Sequence, residues 1–154
     1  MATTNLQDNV NWLLIRASIV AKQRLMRISE VYNLTPMQAL TLCALEPGNA
    51  VPMSQISELL ACDPSSVTGI VERLSVGSYI ERREGSSDRR IKTITLTDAG
   101  VKLRESLIPQ MSEKGAPNLA RLTPEQIDSL KKLLRETLPE VTSSPKHHHY
   151  AHSK

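Results

Sequence analysis

The segment Asp88-Arg89-Arg90-Ile91-Lys92-Thr93-Ile94-Thr95-Leu96-Thr97-Asp98-Ala99-Gly100 changes character twice, from a charged turn to an alternating strand to a helix start. Side chains on a strand point to opposite faces in turn. Ile94 and Leu96 therefore share one face and Thr93 and Thr95 the other, the pattern of a half-buried strand. Just upstream, Ile80-Glu81-Arg82-Arg83 can pair with it. The result is a hairpin with a basic tip, too small to stand alone, so the rest of the chain must supply the body it leans on.

That body reads as helices. Val10, Leu13, Leu14, Ala17, Val20, Ala21, Leu25 and Ile28 recur at helical spacing, which predicts one long helix over 8–31 with Arg16, Lys22, Arg24 and Arg27 on its other side. Thr35-Pro36-Met37-Gln38 carries a capping threonine, a proline for the first turn and the glutamine of a capping box. The helix it opens stops at Pro47-Gly48. After a short loop, Met53 to Ala61 forms another helix, and Asp63-Pro64 starts the next. This last helix, 64–76, buries a stripe of Val67, Ile70, Val71 and Leu74 and is expected to end at Gly77. Two helices across so short a turn form a helix-turn-helix, and the hairpin after them makes it winged. A fifth helix runs from Thr97 to about Met111, with Pro109, Gly115 and Pro117 disturbing its far end. Thr123-Pro124-Glu125-Gln126 opens a sixth, with Ile127, Leu130, Leu134 and Leu138 on one side.

Composition narrows the function classes. A chain of 154 residues is expected to be one domain, and a net charge of +3 is only mildly basic. Aromatics are 3% and phenylalanine is absent, so the core must be aliphatic and a stacking platform for single strands is disfavoured. All four histidines fall in the tail, at 147–149 and 152. There is no nucleophile elbow, phosphate-cradling glycine loop or metal-ligand spacing, so no enzyme, cofactor or metal is expected. The start of the chain does not read as a secretion signal. No apolar run approaches the roughly 18 residues of a membrane helix, so a cytoplasmic protein is expected.

The order helix, helix, helix-turn-helix, wing, helix, helix over about residues 8–138 resembles the multiple-antibiotic-resistance regulator (MarR) family. Three segments carry the resemblance: Leu34-Thr35-Pro36-Met37-Gln38, Asp63-Pro64-Ser65-Ser66-Val67-Thr68 through Arg73-Leu74, and the run from Asp88 to Gly100. It implies a mainly α fold with a small β wing (α+β), a winged helix-turn-helix with N- and C-terminal dimerisation helices. Residues 1–34 would be the first dimerisation helix, 35–96 the DNA-binding lobe, 97–139 the C-terminal dimerisation helices and 140–154 a disordered tail. It also implies a homodimer on a pseudo-palindromic duplex operator, with helix 64–76 in the major groove and Arg90 in the minor groove. Asp88 would orient the basic side chains of the wing. A small aromatic or phenolic effector between the lobes would release a repressor. Two positions depart from the family pattern: Gly69 where a basic residue is common, and Ser78 where glycine is usual, with Gly77 one earlier.

The candidate DNA contacts are Ser65, Ser66, Thr68 and Arg73 on the second helix of the motif, and Arg82, Arg83, Asp88, Arg89 and Arg90 on the wing. Short hydroxyls suit phosphate or either base edge, and arginine suits a narrow negative groove. Trp12, Arg16 and Cys43 are the candidate effector contacts. Cys43 and Cys62 lack CxxC spacing and read as packing residues. Cys62 lies just before a helix start, whose positive end can lower a thiol pKa, so a thiol- or metal-responsive regulator is one alternative. The other is a winged-helix protein-interaction module with no DNA target, which the net acidic 53–76 segment favours.

Overall fold

The computed structural model describes residues 6–84, 91–112 and 116–139. In chain order the elements are a 3-10 turn (Leu6–Asp8), α1 (Val10–Val31), α2 (Pro36–Ala44), β1 (Val51–Pro52), α3 (Met53–Leu60), α4 (Pro64–Val76), β2 (Ile80–Glu84), β3 (Lys92–Leu96), α5 (Asp98–Met111) and α6 (Pro124–Thr137). The fold is mainly helical with a small antiparallel sheet, as expected. The tail at 140–154 lies outside the described residues.

Helix starts follow their caps. Asn9 caps α1, accepting from the Trp12 amide at 3.2 Å, so the helix starts at Val10, two residues later than read. At α2 the Gln38 amide donates to Thr35 Oγ1 at 3.3 Å, and the Thr35 amide donates back to Gln38 Oε1 at 2.7 Å. Thr123 and Gln126 close the same box at α6, at 2.9 and 3.3 Å. Pro109 does not break α5, which continues to Met111. The Arg24 guanidinium of α1 grips that end: Nη2 donates to the carbonyls of Gln110 at 2.5 Å and Ser112 at 3.1 Å. A cation on the last carbonyls of a helix satisfies groups that no further turn would bond.

The strand 92–96 corrects the half-buried expectation. The sheet order is β1-β3-β2, so β3 is the central strand. Val51 pairs with Ile94 on one side and Ile80 with Leu96 on the other. Thr93 and Thr95 are buried together with Ile94 and Leu96. The Thr93 hydroxyl is accommodated by donating to the Arg83 carbonyl at 3.2 Å. Threonine suits such a site, with a β-branched body and a hydroxyl that finds a local acceptor.

Gly77 does not make the left-handed turn after α4. Its φ is −73°, and Ser78 takes the left-handed conformation at φ 59°. The Ser78 amide bonds to the Ser75 carbonyl at 2.9 Å and the Tyr79 amide to the Leu74 carbonyl at 3.0 Å. Those paired bonds are a Schellman closure. Helix α1 closes the same way through Asn33, and α3 through Ala61.

The core is aliphatic. Leu42, Leu45, Ile56, Val67, Val71, Leu74, Ile80, Ile94 and Leu107 are buried together, with Leu25 and Ile28 of α1 packed against them. The rest of the α1 stripe covers nothing in the described chain: Val10 is 69% exposed, and Leu13, Leu14 and Val20 are exposed as well. Helix α6 has no buried residue, and Leu133, Leu134 and Leu138 all face outward. Among the described residues no helix is long and apolar enough to cross a membrane.

One close approach ties the hairpin to the helices on both sides. The Tyr79 carbonyl accepts from the Thr97 amide at 3.1 Å, and Thr97 Oγ1 donates to the Ser78 carbonyl at 2.6 Å. The Gly100 amide donates to the same Thr97 hydroxyl oxygen at 3.1 Å. A Cβ on Gly100 would overlap the Tyr79 carbonyl oxygen, a backbone atom that cannot step aside. Gly100→Ala should therefore cost about 2 kcal/mol or more of folding stability, the scale of overpacking a close-packed site. Urea denaturation checks this; a variant as stable as wild type would mean that the clasp has room.

Candidate nucleic-acid interface

Helix α4 presents a polar face because its apolar stripe, Val67, Val71 and Leu74, is spent on the core. Ser65, Ser66, Thr68, Gly69 and Arg73 are all exposed. The hydroxyls are not idle. Ser65 Oγ and Ser66 Oγ donate to the Asp63 carboxylate, the latter at 2.8 Å, and Thr68 Oγ1 donates to the Pro64 carbonyl at 2.9 Å. With their protons engaged, these oxygens can accept from a base amino group, whereas a phosphate contact would first require a bond to break. Gly69 leaves open space: a Cβ there would meet nothing within 4 Å.

Asp63 is the electrostatic centre of this end. Its carboxylate also accepts from the Ser66 amide at 3.0 Å. The Ser65 hydroxyl, then the Ser66 amide and hydroxyl, hold its pKa well below the usual carboxylate range. The sequence marked Asp63 only as a cap; the adjacent Ser65-Ser66 pair was the signal for the larger role.

On the hairpin, alternation separates the two arginines. Arg83 shares a strand face with Glu81 and pairs with it at 2.9 Å. Lys92 pairs with Glu84, its cross-strand partner, at 3.3 Å. Arg82 lies on the other face and reaches α4, its Nη2 donating to the Thr68 carbonyl at 3.5 Å. Glu81 and Glu84, which sequence reasoning did not count, thus neutralise part of the expected basic wing. The pairs are exposed and worth at most about 1 kcal/mol each. Asp88, Arg89 and Arg90 lie outside the described residues.

The proposed effector residues are not brought together within one chain. Trp12 is half-buried at the first turn of α1 and Arg16 is exposed one turn on. Cys43 of α2 sits with its Sγ 3.3 Å from Met111 Sδ, at the end of α5 that Arg24 grips. Trp12 is twelve residues before Arg24, about 18 Å along the helix. An open groove of about 480 Å³ lies elsewhere, between α4 and β2, lined by Glu72, Ser75, Val76, Ile80, Glu81 and Arg82.

Neither thiol has a lowered pKa. Burial raises the Cys43 pKa despite the nearby Arg104 guanidinium. The Cys62 pKa is raised too, by burial and then by the Asp63 carboxylate, which corrects the expectation of lowering by the helix start. The negative cap stands between the thiol and the positive helix end. Among the described residues no three His, Cys, Asp or Glu side chains are grouped to hold a metal ion.

A three-stranded winged helix-turn-helix with an exposed polar second helix defines a class of DNA-binding transcriptional regulators. Comparison with known proteins agrees: residues 34–92 match the MarR family model. The chain is 30% identical over 106 residues to the uncharacterized HTH-type transcriptional regulator YhbI of Bacillus subtilis, covering 69% of each chain. It is 33% identical over 84 residues to the HTH-type transcriptional repressor NicR of Pseudomonas putida, spanning about half the length of that relative, 53% of each chain. Its fold matches the structure of Bordetella bronchiseptica BpsR, described for regulation of its DNA binding by 6-hydroxynicotinic acid, with a TM-score of 0.72. The identity there is 27%, over 84% of this chain and 92% of that one. The chain belongs to the MarR family and is a winged-helix DNA-binding regulator of transcription.

Asp63→Ala should lower the Tm at neutral pH, because α4 loses its cap. The folded-state pKa is depressed, so the cap's contribution is complete above the unfolded value of about 4 and fades as pH falls below it. Thermal melts across pH should show the gap between variant and wild type closing in strongly acidic solution. A gap that persists there would assign the effect to something other than the carboxylate.

Proposed function

We propose that this chain acts in the cytoplasm as a homodimeric repressor that binds a pseudo-palindromic duplex operator and is not an enzyme. The observation that carries the DNA contacts is the exposed α4 face, polar from Ser65 to Arg73 and flanked by the arginine-bearing hairpin. Helix α4 lies in the major groove, with Ser65, Ser66, Thr68 and Arg73 toward the bases or backbone. The wing arginines, Arg90 first and then Arg89, supply positive charge to the minor groove, with Asp88 orienting them. The dimer is supported by the uncovered apolar sides of α1 and α6, which one chain leaves facing water. Two-fold symmetry then places the half-sites about one helical turn apart. A small aromatic or phenolic effector bound near Trp12, Arg16 and Cys43 weakens DNA binding. The regulation of BpsR by an aromatic acid supports that class. Because one chain separates Trp12 from Cys43, such a pocket draws on both copies. The effector acts by preferring a dimer whose two α4 helices are wrongly spaced for the groove.

Arg90→Ala tests the DNA reading: operator affinity should fall, and the slope of log affinity against log salt should flatten by about one. Unchanged affinity and slope in a folded variant would sink the Arg90 assignment. Sedimentation tests the dimer, with no folded monomer expected at micromolar concentration. A stable monomer would refute it.

A further inference from the structure

We infer that Arg82, carried by β2, is a base-reading side chain of the DNA-binding face, reaching α4 at Thr68, next to the space that Gly69 leaves open. The inference rests on the DNA-binding reading above and assigns, within it, which residue discriminates sequence. The strand register places Arg82 on the face of Ile80, which is buried in the core that α4 also enters. Its guanidinium therefore lies across α4 rather than away from it, with Nη2 at 3.5 Å from the Thr68 carbonyl. The next residue is Gly69, with nothing within 4 Å of where a Cβ would stand. A donor at 3.5 Å on an exposed surface is held at the long limit of a hydrogen bond, so a stronger acceptor takes it readily. Arginine has five donors in a planar fork, and this contact uses one nitrogen.

The other polar groups nearby are committed or misplaced. Ser65, Ser66 and Thr68 spend their protons within α4 and its cap. Arg83 is paired with Glu81 on the opposite strand face, and Lys92 is paired with Glu84. Arg73 sits in the last turn of α4, past the N-terminal half that enters a groove first in this motif. That half of α4 has no long side chain of its own from Ser65 to Gly69 apart from the buried Val67. Arg82 supplies one from the neighbouring strand. The chemistry that matches a guanidinium fork in the major groove is guanine, through O6 and N7.

The test is enrichment of the full-length protein on a random duplex library, with wild type, Arg82→Ala and Arg82→Gln compared. Wild type should enrich a two-fold symmetric site with a guanine preference at one position in each half. Arg82→Ala should lose that preference alone, and its affinity for the wild-type site should fall roughly 5- to 150-fold per half-site. Arg82→Gln should shift the same position toward adenine, since a side-chain amide pairs with adenine N6 and N7. A merely structural role would not redirect a base. Equal weakening on every sequence, with the salt slope reduced by about one, would make Arg82 a phosphate contact and overturn the proposal. Unchanged enrichment in both folded variants would overturn it too, leaving the DNA reading intact. If wild type itself enriches no sequence, the DNA reading fails and this assignment falls with it.

Discussion

The backbone carbonyl of Tyr79 is the point on which the wing and the helices around it are hung. It accepts from the Thr97 amide while the Tyr79 amide closes α4 through the Leu74 carbonyl, so one residue ends a helix and starts a hairpin. Thr97 does the converse, ending β3 and capping α5 through the Gly100 amide. The absence of a side chain at Gly100 lets the two chain reversals touch. Because the base of the hairpin is bonded to both helix ends, its strands cannot swing independently of α4. The placement of the β2 backbone that carries Arg82 and Arg83 relative to the polar face of α4 is therefore set by backbone bonds.

Much of this was legible in the sequence, for a local reason. Capping boxes at Thr35–Gln38 and Thr123–Gln126 need only residues three apart, and both form as read. The pairing of 80–83 with 93–96 follows from a short connection and matching alternation. What escaped depends on residues far apart in the chain. Strand β1 is two residues long and contains a proline, so it has no period to detect, yet it covers the outer edge of β3 and helps bury Thr93 and Thr95. The grip of Arg24 on α5 joins residues 86 and 88 apart, and the Arg104–Glu46 pair at 2.7 Å joins residues 58 apart. No spacing rule reaches that far. The turn after α4 was legible only in part: Gly77 ends the helix as read, but glycine permits a left-handed φ without compelling it, and the left-handed residue is the next one, Ser78. The candidate site residues could be picked out from the sequence, whereas the bonds they make to one another could not. Only the fold shows that Arg83 turns to Glu81 while Arg82 turns to α4.

The cysteines show how a neighbour reverses a rule. A thiol at the start of a helix is ordinarily activated by the positive end of the helix. Here burial, and then the charge of Asp63 at that end, raise the Cys62 pKa. The cap that makes α4 a good helix adds to the burial that keeps the preceding thiol protonated.

The same carboxylate has a consequence for how α4 would meet a duplex on the DNA reading proposed above. A bare helix start attracts phosphate, since its free amides and dipole both favour an anion. At α4 an anion is already in place, bonded to the Ser66 amide and to two serine hydroxyls. A backbone phosphate approaching along the helix axis meets a negative charge instead of an empty cradle. On the DNA reading proposed above, end-on docking would be repelled, and approach along the flank, past Thr68, Gly69 and Arg73, would not. Asp63 would then be a steering vane, selecting among orientations of one helix before any base is touched.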